Sequence, residues 1–133
     1  MLLSGGNRCC LFGPDSFALG VLFVTSDESF FAAGDMTNSR AFHTATRLGN
    51  GEVLIAGGAN VHSVAQSTTD KTSVTPLASA ELFNPTSKTF TSTANMTTAR
   101  SWHTATLLGN GKVLVVGGVD TNGNVLSSAE LYQ

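Results

Sequence analysis

Charge is what this chain has least of. Charged residues make up 12% of its 133 positions and the formal net charge is −2, so no basic stripe is present to neutralise phosphates by counterion release, and nucleic acid is not an expected partner. Lysine and glutamate, two strong helix formers, are scarce, whereas glycine occurs 14 times among many serines and threonines. That balance fits short strands joined by tight turns, an all-β chain. Hydrophobic residues at 41% and a mean hydropathy of +0.13 suffice for a core, which excludes a disordered chain. Cysteine is limited to two adjacent residues, Cys9 and Cys10; a disulfide between neighbours is strained and closes no useful loop, so no disulfide framework is expected. Long apolar runs are missing too. Met1 to Ser4 lacks a basic start, and the run from Cys9 to Val24 is broken by Pro14 and Asp15. Neither a clean signal peptide nor a membrane span of about twenty residues is visible, and a soluble chain is expected.

What the chain does have is a repeat. Residues 40–58 read RAFHTATRLGNGEVLIAGG and residues 100–118 read RSWHTATLLGNGKVLVVGG. His43 and His103, Gly58 and Gly118, Met36 and Met96 all recur at a spacing of sixty residues, and a fixed spacing of this length is the mark of repeated structural units. In each copy a strand rich in threonine (42–48, then 102–108) leads into Asn-Gly, which predicts a type I′ hairpin turn. A second strand follows at 53–56 and 113–116. It is apolar at every position, as a strand covered on both faces would be. Gly57-Gly58 and Gly117-Gly118 close it, where the backbone takes a conformation or an approach that a Cβ would block. Third strands are expected at 79–83 and 129–132, and a fourth at 89–94 after a turn at 84–87. Residues 60–76 are polar and read as an exposed loop carrying His62, Asp70 and Lys71; the matching link in the second copy is shorter. Residues 2–36 read as the worn end of a preceding unit, apart from 8–18, which match nothing downstream.

Four short strands per unit, a double glycine ending the second, AELF or AELY on the third, and Met-x-x-x-Arg leading onward resemble the kelch repeat. The resemblance implies units that are blades of a β-propeller around a central channel. On this reading 1–36 is a degenerate remnant of a preceding kelch blade, 37–96 a complete blade and 97–133 an incomplete blade of three strands. The expected fold is a partial β-propeller of about two to two and a half four-stranded blades. A propeller needs about four to eight blades, so the chain is expected to depend on the remaining blades of a longer protein or on self-association to cover its flanks. The wording HTATLLGNGKVLVVGG is similar to kelch units of secreted bacterial proteins and of galactose-oxidase-like propellers, which implies a leaning towards secretion.

Recurrence also sorts the candidate site residues. His43 and His103 hold one place in successive units, so they are expected to bond within or between blades, and a single metal ion shared between them is not expected. Arg40 and Arg100 recur together with Glu81 and Glu130, as inter-strand or inter-blade ion pairs would. With Gly57, Gly58, Gly117 and Gly118 these form the structural repeat positions. Phe42 and Trp102, each before its histidine, and His62 form a possible binding surface; packing between blades is the other use of such rings. Met36 and Met96 are read as gap-filling core residues, and Asn95-Met96-Thr97 is a glycosylation sequon of little weight alone. A galactose-oxidase-like enzyme implies copper held by tyrosine and histidine, with a tyrosine cross-linked to cysteine. This chain has one tyrosine, Tyr132, on the ordinary third-strand position. No nucleophile elbow or phosphate-cradling loop is present. No catalytic residue, cofactor or metal site is therefore expected in this segment, and the expected role is loop presentation to a protein or a glycan. The alternatives are a fragment of a copper-radical oxidase whose catalytic residues lie elsewhere, and a structural or non-functional remnant.

Overall fold

The computed structural model describes residues 3–4, 18–24, 28–64 and 71–133; Cys9, Cys10 and Asp70 lie outside the described residues. Among the described residues there is no helix. Strands β1 (Leu3–Ser4), β2 (Leu19–Val24) and β3 (Ser29–Asp35) form one antiparallel sheet in that order. A four-stranded sheet follows, β4 (Thr44–Arg47), β5 (Val53–Ala56), β8 (Ala80–Asn84) and β9 (Thr89–Thr93). A third sheet holds β10 (Thr104–Leu107), β11 (Val113–Val116) and β12 (Ala129–Tyr132). The two copies share their register: Thr44 pairs with Ala56 as Thr104 pairs with Val116, and Leu54 pairs with Leu82 as Leu114 pairs with Leu131.

Three details differ from the sequence-based expectation, each for a local reason. Residues 60–64 and 71–76 are not loop. Strands β6 (Ala59–Val64) and β7 (Lys71–Pro76) pair antiparallel, Val61 opposite Val74 and His62 opposite Ser73. The β-branched residues in that polar run favour extended backbone, and Val61 is buried against Ala41 and Ala59. In the second copy the same link shrinks to a tight turn bridged by Val119 and Val125. Second, the Asn-Gly turns are not type I′. Gly51 N donates to Leu48 O at 3.0 Å and Leu48 N to Glu52 O at 2.8 Å, and Gly51 has φ +90° while Asn50 is not left-handed. This is the three-residue hairpin, a type I turn followed by a left-handed glycine, and it recurs from Leu108 to Lys112. Third, the first strand of each copy starts two residues late, because Phe42 and Trp102 have φ of 58° and 55°.

Sheet stacking is read most directly from β5. All four of its residues are buried. Val53 and Ile55 face a cluster with Ala33, Met36 and Phe83, packed by Phe90. Leu54 and Ala56 face the opposite way, onto Ala80, Val113 and Val115, packed by Met96, Leu82 and Tyr132. Its twin β11 buries Val113 and Val115 but leaves Val116 41% exposed, because no sheet covers its other face among the described residues. The same contrast appears at the glycines. A Cβ on Gly57 would lie 2.6 Å from Arg100 O, 2.7 Å from Met96 Cε and 2.8 Å from His103 Cε1, on the segment that leads into the second copy. A Cβ on Gly117, which no further copy covers among the described residues, would find only Leu126 O at 3.6 Å. Gly57→Ala should therefore cost about 3 kcal/mol or more, through overpacking added to left-handed strain, whereas Gly117→Ala should cost about 1 kcal/mol from backbone strain alone; urea titration of the two variants measures the difference.

Candidate functional site

The side chains that recur between the copies gather where each unit begins. Arg40 is fully buried and clamps three segments of its own unit. Its Nη1 donates to Gly57 O at 2.7 Å and Ser79 O at 3.0 Å, and its Nη2 donates to Ser79 Oγ at 3.1 Å and Glu81 Oε1 at 2.6 Å. Glu81 in turn accepts the backbone N–H of Thr37 at 2.7 Å and of Asn38 at 3.3 Å. The arginine thereby joins the end of β5 and the start of β8, and the glutamate ties both to the lead-in segment 37–40. Arg100 repeats the pattern on Gly117, Ser128 and Glu130, with Thr97 and Thr98 donating to the carboxylate. The pairs are thus internal to one unit. Ser79 and Ser128 were not singled out from the sequence, although the signal was there: each stands two residues before its glutamate.

Electrostatics follow from this geometry. Burial raises the Glu81 pKa, but the Thr37 N–H, the Arg40 hydrogen bond and the Arg40 charge outweigh it and leave the carboxyl below its ordinary value. Glu130, 18% exposed, meets the same opposing desolvation, and the Thr97 hydroxyl and N–H, with Arg100, hold it at about 2. Both imidazoles are pushed down to about 4. Burial is the main cause for each; Arg40 and then His103 add repulsion at His43, and Arg100 adds it at His103, where the Arg100 and Ala56 backbone pulls weakly the other way. His103 Nε2 lies 2.9 Å from Thr44 Oγ1, a hydrogen bond from one copy to the other. The two histidines are neutral neighbours across a sheet boundary, and among the described residues no group of three or more His, Cys, Asp or Glu gathers as a metal site would.

Phe42 and Trp102 are brought together. Their rings stack with centroids 4.3 Å apart at 25°, and Trp102 N donates to Phe42 O at 3.2 Å. Phe42 is half-buried against Ala41, Ala59 and Val61; Trp102 is 54% exposed. A left-handed φ on a bulky residue costs on the order of 1–3 kcal/mol and persists where its surroundings hold it. Here the residue before each ring is held by a reciprocal bridge: Ala41 and Ala59 exchange N–H···O bonds of 2.8 Å, and Ser101 and Val119 bonds of 3.1 and 2.9 Å. His62 is exposed on β6 and is not in this stack. Tyr132 sits on the far strand, its hydroxyl 2.6 Å from Thr93 Oγ1, so the single tyrosine and the two histidines do not form a copper ligand set.

Removing one partner of a buried pair strands the other charge. Glu81→Gln should destabilise by about 3 to 5 kcal/mol, and Glu130→Gln by less because Glu130 keeps water, as chemical denaturation will show. Between pH 6.5 and 4 the unfolded histidines take up protons that native His43 and His103 refuse, so stability should fall as pH drops through that window. From 4.5 towards 2 the native Glu130 stays ionised while its unfolded counterpart protonates, and stability should fall further. His103→Gln should remove about half of the upper decline and leave the lower one, read from urea midpoints across pH.

No protein-family model matches the chain, and no curated protein matches it. Solved structures do. The structure of YjhT superposes with a TM-score of 0.64 at 14% identity, over 85% of this chain and 34% of that one. A fungal alcohol oxidase of the AA5 family, in complex with copper, superposes with a TM-score of 0.66 at 22% identity, over 85% of this chain and 24% of that one. The chain spans about a third and a quarter of these two neighbours. At such identities the likeness is one of fold, and the fold is all-β and partial-propeller-like.

Proposed function

We propose that this chain is a kelch-type propeller segment that works by binding, presenting the Phe42 and Trp102 stack to a glycan or a partner protein, with no chemistry of its own. The observation that carries the reading is that stack: two bulky rings, each at a strained φ in its copy, joined into one platform whose tryptophan stays 54% exposed. Its counterpart Phe42, by contrast, is half-buried. A flat aromatic face kept in water takes the C–H face of a sugar ring or an apolar side chain of a partner.

A second reading has its own support in the copper-bound AA5 oxidase: the chain would be a piece of such an oxidase. The described residues supply no copper ligand set, so tyrosines, histidines and a separated cysteine would have to be encoded in flanking sequence.

Trp102 is the single tryptophan, so its emission reports on the platform directly. Titration with neutral mono- and oligosaccharides should shift or quench that emission with a Kd in the range of about 0.1 to 10 mM, and Phe42→Ala should weaken binding about tenfold or more. Unchanged emission across the panel would remove the glycan and leave the protein partner. Binding of either kind that Trp102→Ala leaves intact would overturn the platform.

A further inference from the structure

Three Asn-Gly pairs stand in turns of this chain: Asn50-Gly51, Asn110-Gly111 and Asn122-Gly123. An asparagine before glycine can close on itself, since the peptide nitrogen of a residue without a Cβ reaches the side-chain Cγ with little hindrance. The new N–C bond forms as the Cγ–Nδ2 bond breaks, and Nδ2 leaves as ammonia with the proton that the peptide nitrogen gave up. Water then opens the resulting imide at either carbonyl, leaving aspartate or isoaspartate. The groups around the amide set how fast this happens, and they differ among the three turns.

The first two turns are twins in backbone. Gly51 N donates to Leu48 O and Gly111 N to Leu108 O, each at 3.0 Å, while Leu48 N donates to Glu52 O and Leu108 N to Lys112 O, each at 2.8 Å. Asn50 Oδ1 accepts Glu52 N at 3.0 Å, and Asn110 Oδ1 accepts Lys112 N at 3.1 Å. The side chain two residues on is what separates them. Asn50 Nδ2 donates to Glu52 Oε2 at 2.8 Å, which holds the amide in place and sets a negative charge where the attack would build another. In the second copy Lys112 replaces that glutamate. Its ammonium favours loss of the peptide proton and steadies the oxyanion of the adduct.

Asn122-Gly123 is guarded in a different way. The Asp120 carboxylate accepts Asn122 N at 2.8 Å, Asn124 N at 2.9 Å and Asn124 Nδ2 at 3.1 Å, and the Gly123 N–H is turned towards it as well. A carboxylate beside the attacking nitrogen opposes the loss of its proton.

We propose that Asn110 is a site of spontaneous deamidation in the folded chain, with Glu52 and Asp120 protecting the other two pairs. The two products have different consequences. Aspartate at position 110 keeps an oxygen for Lys112 N and gains that lysine as an ion partner. Isoaspartate adds a methylene to the main chain between the paired residues Leu107 and Val113, and so loosens the hairpin that carries the buried Val113 and Val115.

The test keeps the whole folded chain in mildly alkaline buffer and follows the Asn-to-Asp mass gain at each pair by peptide mapping. Asn110 should convert about threefold or more faster than Asn50 and Asn122. Lys112→Glu should slow Asn110 to the rate of Asn50, and Glu52→Lys should raise Asn50 to the rate of Asn110; circular dichroism checks that both variants are folded. Equal rates at Asn50 and Asn110, a faster Asn122, or exchanged charges that leave the rates as they were would each overturn the proposal.

Discussion

The close stacking of two sheets across β5 is the constraint on which the rest depends. Val53 and Ile55 look one way and Leu54 and Ala56 the other, and all four are buried. Because a strand of four residues can be dry on both faces only between two sheets, neither copy of the repeat can bury its own apolar surface. Stacking also explains the glycines at its margin. Gly57 lets Arg100 O, Met96 and His103 approach to distances that any Cβ would block, and Gly58 N donates to Arg100 O at 2.9 Å. The Thr44 to His103 hydrogen bond adds a polar tie across the same boundary. Burial keeps the imidazole in that bond neutral.

In a chain so poor in charge, two buried arginines demand an explanation. A buried pair seldom adds stability over an apolar substitute of the same shape, but it accepts few alternatives to its own geometry. Arg40 reads the carbonyls of Gly57 and Ser79, and Glu81 reads the N–H groups of Thr37 and Asn38. Gly57 is buried, and a buried carbonyl needs a donor; Thr37 and Asn38 lie in the lead-in between β3 and β4. The clamp thus fixes the path by which each unit starts, and two residues later the chain turns through the left-handed Phe42 or Trp102. The exposed aromatic stack is the surface expression of that buried geometry.

Legibility from sequence varied with the range of the interaction. The uniformly apolar β5, the double glycines and the recurring Arg and Glu stood out because each follows from composition, period or spacing. The pair of strands β6 and β7 was read as a loop because its polarity outweighed its β-branched residues, and Val61 becomes a core residue only when Ala41 and Ala59 are beside it. The turn at Asn50-Gly51 was legible as a turn, but its type depends on the Leu48 to Glu52 pairing, which a dipeptide does not specify. Ser79 and Ser128 carried a spacing signal that proximity to the larger Glu81 and Glu130 obscured.

From its sequence alone the chain is an all-β repeat, since strand period, turn residues and a constant spacing are local properties written into the order of residues. Only the tertiary structure decided which recurring groups meet. It paired Arg40 with Glu81 inside one unit, set Thr44 on His103 across two units, and stacked Phe42 on Trp102. Those outcomes depend on how far apart and at what angle the sheets pack, and a sum of side-chain contacts from both copies sets that distance.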